Sequence, residues 1–527
     1  MKNRFVNSVC FMRSYDYFGR DASASNLRAI KGQMELYNRY GLPATYLMEY
    51  DTLIREDFRA ALDGRKANDE VGLWFEVTGE LARDAGVEWR SKRNRNWDFY
   101  VCPGFIMSYN SEEKKKIIDT MMEKFKSYFG SYPRTVGSWL IDTEAMKYMA
   151  DHYPVEAFSI CREQWGMDGY TLWGGPYYGG YYPTVNNMQT PAQEIGNQIG
   201  VPVFRMYLND PIYCYYEFGK REFNDIDYGL FSTEPVWPCG QYLGWIRYAY
   251  ECTFAPENLG FSYCQLGQES CFGFDEPLPS GLEAQIRYAV KYQEKYGYDF
   301  VTVGDMGKAF RENYKQTPDS FRFTLWDWAN KGKQSAWFSN RKYRVNLFSD
   351  HKEVWLRDIH FFSDDYRDQY LEKPCRAEWA VYDNPPVMDG VRFTHGCNEE
   401  DIPFNNDFSG RKYGDRAAMS FGAGSIVSCT SENGKAKMVI QAEGKTITLT
   451  PGDDALVMTS DGDFTINFTH KEHQTYIEKV DEKGIDYRHR DFTYRLSLTD
   501  GKISDVSKTG CRIASENGRL VMTFSKR

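Results

Sequence analysis

Along roughly the first 315 residues, short apolar runs alternate with segments in which apolar residues recur every three to four positions. The first pattern predicts buried strands and the second predicts amphipathic helices. The predicted strands cover residues 5–12, 43–50, 69–77, 135–142, 155–162, 201–208, 258–267 and 299–305. The predicted helices cover residues 25–41, 53–62, 111–130, 145–153, 280–297 and 306–314. This alternation predicts a parallel sheet, and the number of repeats fits a seven- or eight-stranded (β/α) barrel.

The pattern changes after about residue 320. Segments 332–362 and 435–470 read as short strands in which apolar and polar residues alternate, with glycine and aspartate at the turns between them. Such spacing predicts an antiparallel β-sandwich. We therefore expect a barrel domain over residues 1–318 and a β-sandwich domain over residues 319–527.

Composition narrows the range of partners. The 527-residue chain has a formal net charge of -10, which argues against nucleic acid or an anionic membrane as its main partner. Aromatic residues make up 16% of the chain, with 39 tyrosines and 13 tryptophans. Much of this content belongs in a core, but it also fits a cleft that stacks sugar rings.

The cysteines and the N-terminus predict a cytoplasmic location. The twelve cysteines are scattered singly without a CxxC pair, which is typical of reduced, buried thiols. The first residues show neither an uninterrupted apolar run nor a small-residue cleavage site. No stretch approaches the roughly 18 consecutive apolar residues of a membrane span.

The segment "LPATYLMEYDTLIREDFRAALDGRKANDEVGLWFEVTGE" resembles the second and third strand units of the glycoside hydrolase/deacetylase superfamily, which includes NodB-type polysaccharide deacetylases. The segment "YDFVTVGDMGKAF" resembles the last barrel unit, and the whole chain resembles two-domain bacterial members of this superfamily. The resemblance implies an irregular (β/α) barrel followed by a β-sandwich, and hydrolysis of a carbohydrate.

The chain departs from this family at the metal ligands. Leu73 and Val77 stand where the family places metal-binding histidines, and the first family motif appears only as "RSYDYFG" around Asp16. His152 is the only one of the seven histidines in the front half of the chain. A zinc site built from three imidazoles is therefore excluded. Relatives with this fold that cleave glycosidic bonds use paired carboxylates, some of them without a metal.

Barrel enzymes carry their reactive groups at the C-terminal ends of the strands. Glu76 is the first candidate, because Trp74 and Phe75 would desolvate its carboxyl and raise its pKa toward that of a general acid. An exposed acid near a loop is the alternative. Asp142 and Glu144 would share one face if their strand persists. Alternatively, Asp142 or Thr143 caps the following helix.

Segment 160–187 is rich in both aromatic residues and glycine, and we expect a long barrel-top loop that offers sugar-stacking platforms. The alternative is a small packed segment that covers the barrel. Arg205 interrupts a predicted strand, where a structural salt bridge to an acid such as Asp142 competes with substrate contact. The candidate substrate-binding residues are Asp16, Glu49, Trp74, Trp139, Arg162, Trp173, Tyr177, Arg205, Asp210, Gln268 and Glu269.

Together these patterns predict a glycoside hydrolase acting on an oligosaccharide or polysaccharide. Glu76 would protonate the leaving oxygen, and Asp142 or Glu144 would act as nucleophile or as base toward water. A carboxyl separation of about 5 Å would indicate retention, and roughly 6.5–9.5 Å inversion. No cofactor is required, although acids alone could hold a hard cation such as Ca²⁺. The alternatives are a deacetylase whose metal is held by carboxylates, and a non-catalytic sugar-binding barrel.

Overall fold

The front part of the chain folds around a parallel sheet in the computed structural model, which describes residues 3–208, 210–215, 231–395, 417–471 and 476–527. The strands of the front part are β1 (Arg4–Met12), β2 (Ala44–Met48), β3 (Glu70–Trp74), β4 (Thr135–Gly137), β5 (Ala157–Ile160), β6 (Gln164–Met167), β7 (Tyr170–Trp173), β8 (Pro183–Thr184), β9 (Asn187–Pro191), β10 (Val203–Arg205), β11 (Ser262–Glu269) and β12 (Asp299–Phe300).

Seven of these strands form the predicted barrel. Their order is β10-β5-β4-β3-β2-β1-β11, and each neighbouring pair runs parallel. β12 adds a short parallel pairing to the start of β1. The two outer strands are linked through side chains: the Tyr263 hydroxyl donates to the Arg205 carbonyl at 2.8 Å, and the Tyr207 amide donates to Gln265 Oε1 at 3.1 Å.

Helices surround this sheet. They are α1 (Ser23–Arg39), α2 (Tyr50–Leu53), α3 (Glu56–Ala61), α4 (Gly79–Asp84), α5 (Val101–Gly104), α6 (Ser111–Phe129), α7 (Thr143–His152), α8 (Pro238–Gln241), α9 (Leu243–Thr253), α10 (Leu278–Tyr296), α11 (Val303–Asn313) and, in the rear part, α12 (Arg392–His395). α6 shows how the sequence sets these ends: Asn110 and Glu113 form a capping box, and Gly130 ends the helix in the left-handed region.

The rear part is antiparallel, as predicted. Its strands are β13 (Ser320–Thr324), β14 (Gln334–Ser339), β15 (Tyr343–Ser349), β16 (Glu353–Phe361), β17 (Ala380–Asp383), β18 (Pro386–Asp389), β19 (Ala418–Glu432), β20 (Lys435–Ala442), β21 (Lys445–Pro451), β22 (Ala455–Ser460), β23 (Thr465–Thr469), β24 (Ile477–Asp481), β25 (Gly484–His489), β26 (Phe492–Leu498), β27 (Lys502–Ser507), β28 (Gly510–Ala514) and β29 (Arg519–Lys526). Except for β17, they join one large antiparallel network with a buried apolar core of its own.

The two parts share backbone pairing. β17 runs parallel to β7, so a strand from the rear part joins β7 and β6 of the front part in a three-stranded sheet that is separate from the barrel sheet. The Cys375 amide also donates to the Met107 carbonyl at 2.8 Å. The strand β7 lies within segment 160–187, which therefore contains paired strands instead of an open loop. This corresponds to the packed alternative for that segment.

No helix in the described ranges combines the length and the apolar character needed to cross a lipid bilayer.

Candidate functional site

A pocket of about 300 Å³ opens at the C-terminal ends of the barrel strands. Among the described residues, its walls carry four acids, two arginines and an array of aromatic side chains. The acids are Glu76, Asp168, Glu234 and Glu269, and the arginines are Arg13 and Arg162. The aromatic residues are Tyr17, Trp97, Phe99, Phe105, Trp139, Tyr170, Tyr207, Trp237 and Phe272. Mostly apolar walls with a few polar groups are typical of small-molecule sites.

Arg13 lies at the centre of the charged groups. It follows β1 directly, and its backbone is fixed by the Ser270 hydroxyl and by the side-chain amide of Asn26. Its guanidinium pairs with Glu76 through Nη2 and with Glu269 through Nη1. Burial lowers the pKa of Arg13, but the neighbouring carboxylates, Glu76 first, raise it well above the ordinary value.

Glu76 is a fully engaged acceptor. Its Oε1 accepts the indole N–H of Trp74 at 2.9 Å as well as the guanidinium of Arg13. Its Oε2 accepts the indole N–H of Trp97 at 2.8 Å. The guanidinium carbon of Arg13 also lies 5.3 Å from the Trp74 ring centroid and 5.1 Å from the Trp97 ring centroid. Glu76 therefore lines the pocket as predicted, but as an acid held by three donors.

Glu49 lies beneath this group, at the end of β2. It is completely buried, and neither carboxyl oxygen accepts a hydrogen bond from a described residue. Its nearest cation is Arg13, whose Nε lies 3.7 Å from Oε1. Burial raises the pKa of Glu49 well above its ordinary value, and the adjacent charge of Asp51 raises it further. Asp51 accepts the Ser14 amide at 2.7 Å, so the charged form of Asp51 is the better stabilised of the two by hydrogen bonding.

Glu234 and Glu269 form a second close pair of acids. The amide of Glu269 donates to Glu234 Oε1 at 3.1 Å, and the Tyr207 hydroxyl donates to the same oxygen at 3.3 Å. Burial raises the pKa of Glu234 to about 8, and the charge of Glu269 adds to this shift. Burial also raises the pKa of Glu269, whereas Arg13 lowers it. Because Glu269 has Arg13 as its counter-ion, Glu234 is the acid that keeps a proton at neutral pH.

The aromatic walls extend from the pocket floor to its rim. Trp139 is half-buried and meets Trp74 edge-on, with ring centroids 4.9 Å apart. Tyr17 stacks on Phe99 at 4.8 Å and is 39% exposed. The Tyr17 hydroxyl also donates to Asp168 at 3.3 Å. These rings give the pocket an aromatic wall and rim.

Asp142 and Glu144 lie outside the pocket lining. Asp142 is the N-cap of α7, where its side chain accepts the Ala145 amide at 2.8 Å. Lys114 Nζ lies 2.7 Å from a carboxylate oxygen of each acid. The structure thus brings these two acids together on Lys114 and separates them from Glu76. It favours the capping alternative for Asp142.

Other predicted binding residues serve packing. The buried Trp173 donates its indole N–H to Asp389 at 2.9 Å, and the buried Tyr177 stacks on Trp337 at 4.2 Å. Both contacts join the barrel to the rear part of the chain. They are not among the residues that line the pocket.

Arg205 ends β10 and Asp210 follows it, and both lie outside the lining. Arg205 is fully buried and donates to Gln189, and no acid of the described ranges forms an ion pair with it. Asp210 accepts the indole N–H of Trp245 at 2.9 Å and two backbone amides, while burial raises its pKa to about 6. Asp210 therefore fixes the backbone of its own turn, and Arg205 holds the side chain of Gln189.

Gln268 and Asp16 hold turns. Gln268 donates to the Gly273 carbonyl at 2.9 Å from inside β11. Asp16 is half-buried, accepts two backbone amides of its own turn and pairs with Arg20 at 2.7 Å. Of the predicted set, the pocket collects Glu76, Trp139, Arg162 and Glu269, while Glu49 and Trp74 lie directly behind its wall.

A divalent metal does not fit the donors present. Within the described ranges, no three histidine, cysteine, aspartate or glutamate side chains are grouped so that they could hold a metal ion. The acids that converge at the pocket floor already surround the guanidinium of Arg13. Among the described residues, the deacetylase alternative with carboxylate ligands therefore has no ligand set.

Comparison with known proteins identifies the fold. No protein-family model and no curated protein matches the chain. Among solved structures, a "putative glycoside hydrolase/deacetylase" from Parabacteroides distasonis is 15% identical, with a TM-score of 0.53, and the match covers 76% of this chain and 96% of that one. A "putative polysaccharide deacetylase" from Mycobacterium smegmatis is 11% identical over 60% of this chain and 93% of that one, with a TM-score of 0.36 that carries no argument.

The chain thus has the glycoside hydrolase/deacetylase fold, an irregular parallel (β/α) barrel followed by an antiparallel β-sandwich. The likeness establishes the fold. The reaction depends on the side chains of the pocket.

Proposed function

We propose that this protein is a carbohydrate-active hydrolase that cleaves glycosidic bonds in an oligosaccharide or polysaccharide. The observation that carries the proposal is the pairing of Glu234, whose pKa is raised to about 8, with Glu269, which has a guanidinium counter-ion. Two neighbouring carboxyls, one kept protonated by burial and the other paired with a guanidinium, can provide an acid and a base at one pH.

Glu234 is the proposed general acid. Its proton would pass to the leaving glycosidic oxygen as the bond to the anomeric carbon breaks. Glu269 is the proposed second carboxylate, which would attack the anomeric carbon or take a proton from the incoming water. One oxygen of Glu269 contacts Arg13, while the side chain keeps a 9% exposed fraction at the pocket. Glu76, whose two oxygens accept three N–H groups, is better suited to position Arg13.

The pocket walls support a sugar as the ligand. Aromatic faces at Trp139, Tyr17 and Phe99 surround polar groups that can bind hydroxyls, among them Gln164 and Arg162. The apolar lining exceeds the polar lining, as expected where a ring is held by its faces and oriented by a few hydrogen bonds.

The test is a screen of the purified chain against 4-nitrophenyl glycosides and a set of soluble polysaccharides, read as nitrophenol or reducing-end release. On any substrate that is turned over, we expect Glu234→Gln and Glu269→Gln each to lower kcat by about 10²- to 10⁴-fold. Glu144→Gln is the control, because Glu144 pairs with Lys114 outside the pocket and its replacement should leave kcat unchanged.

Two results would overturn the proposal. Turnover that survives both pocket substitutions would remove Glu234 and Glu269 from the reaction. Saturable binding of an oligosaccharide by the wild type, without cleavage of any glycan in the screen, would favour the non-catalytic sugar-binding barrel instead.

A further inference from the structure

We propose that the guanidinium of Arg13 is the built-in cation of this pocket. It serves Glu49, Glu76 and Glu269 as their counter-ion, so that the wild-type pocket binds no divalent ion. This inference concerns the same site as the proposed function. It adds which group balances the charge of the pocket carboxylates. It is tested without any glycan, so the two proposals can fail separately.

The first argument is convergence. Glu49 and Glu76 follow β2 and β3, and Glu269 ends β11; β2 and β11 flank β1 in the sheet, and β3 lies next to β2. Arg13 follows β1 itself, and its three guanidinium nitrogens face one acid each. With the guanidinium between them, these carboxyls are not grouped so that they could hold a metal ion, whereas side chains from separate strands could close around a hard divalent ion once the guanidinium is removed.

The second argument is burial. Arg13 is 4% exposed, and the side chains of Glu49, Glu76 and Glu269 are 0%, 1% and 9% exposed. Three buried acids without a cation would pay a large desolvation cost, so one of them would have to take up a proton. The guanidinium offsets this cost for Glu76 and Glu269, while Glu49 at 3.7 Å is the outlying member.

The third argument is rigidity. The Arg13 guanidinium lies against the indole rings of Trp74 and Trp97, whose N–H groups also hold Glu76. Its main chain is tied to Ser270 and Asn26. The guanidinium is therefore held in place by two indole rings and by a fixed main chain.

The experiment measures Mn²⁺ and Ca²⁺ binding by calorimetry, with electron paramagnetic resonance as a second readout for Mn²⁺. We expect no saturable binding to wild type. Arg13→Ala leaves the acids without a cation, and we expect it to bind one equivalent of ion with a Kd on the order of 10⁻⁴ M. Arg13→Ala combined with Glu76→Gln and Glu269→Gln removes most of the oxygen charge and should lose that binding.

Arg162→Ala is the matched control, since it removes another arginine of the same pocket but leaves Arg13 among the acids. Arg13→Lys keeps a positive charge and should also bind no ion. If Arg13→Ala does not fold on its own, we expect added Mn²⁺ to restore a cooperative thermal transition. Guanidinium, at concentrations that leave wild type unchanged, should do the same.

The proposal is overturned if wild type binds one ion that Glu76→Gln abolishes. It is equally overturned if Arg13→Ala folds and binds no ion, or if it unfolds and neither cation restores it. Any of these results would leave the turnover test of Glu234 and Glu269 as it stands.

Discussion

At the scale of single residues, one contact separates the two acids of the proposed reaction. Glu269 meets the guanidinium of Arg13, whereas Glu234 meets the phenol of Tyr207 and the amide of Glu269. Burial penalises the charged form of both side chains, but only Glu269 has a cation to offset that penalty. The proton therefore resides on Glu234 until the pH approaches about 8.

The first prediction follows from this raised pKa. Because Glu234 must be protonated to act as the acid, kcat/KM should fall as the pH rises through about 8. The hydrogen bond from Tyr207 favours the charged form of Glu234, so Tyr207→Phe should move that limb of the profile to higher pH. A limb that stays in place or moves to lower pH in Tyr207→Phe would contradict the assignment.

A second prediction concerns stability at the same residue. Between the ordinary pKa of 4.5 and the folded pKa of about 8, the folded chain holds a proton that the unfolded chain has released. The contribution of Glu234 to the free energy of unfolding therefore falls as the pH rises across this window. Chemical denaturation at a series of pH values should show a shallower decline in Glu234→Gln than in wild type. Equal slopes in the two proteins would contradict the shift.

The residues of the pocket differ in how far the sequence predicts them. Glu76 and Glu269 lie at strand ends, where the barrel rule directs attention to acids. Arg13 also lies at a strand end, and the same rule would have found it had cations been considered with acids. Among the described residues, no barrel strand leads directly into Glu234, so the sequence offers the nearby Trp237 as its local signal.

At the scale of elements, the end of a strand and the start of a helix decide the role of Asp142. The apolar run predicts a strand to residue 142, but β4 ends at Gly137 and α7 begins at Thr143. The intervening backbone turns Asp142 into the N-cap, with its oxygen on the Ala145 amide. Boundaries of this kind are poorly set by periodicity, because the apolar residues continue past the last ladder hydrogen bond.

A third prediction separates the capping role from catalysis. Asp142→Ala removes the acceptor for the Ala145 amide and one of the two acids on Lys114. Loss of the cap should lower the free energy of unfolding by about 0.5–2 kcal/mol, while kcat per folded molecule stays unchanged. Asp142→Asn keeps a capping oxygen and should cost less. A large loss of kcat in Asp142→Asn with unchanged stability would return Asp142 to the reaction.

At the scale of the whole molecule, the ladder between β7 and β17 shows why the composition of segment 160–187 does not reveal its strands. Its glycines and aromatic residues indicate a loop when only neighbours along the chain are considered. The partner strand lies about two hundred residues further on, and pairing over that separation leaves no local trace in the sequence. The two patterned halves were predictable because each is periodic within itself, whereas the contact between them was not.

The last prediction tests that contact. Arg344 is fully buried and bridges Glu163 of the barrel and Asp358 of β16, with nitrogen–oxygen distances of 2.6 Å to each. Arg344→Met would leave two buried acids without this cation, which should lower the free energy of unfolding by about 3–5 kcal/mol. Arg519→Met is the control, because Arg519 pairs with Asp500 at the surface and its loss should cost about 0–1 kcal/mol. Similar losses in the two variants would mean that the buried ion pairs between barrel and sandwich stabilise the protein no more than a solvated pair does. The contact between the two parts would then depend on the ladder and the apolar packing alone.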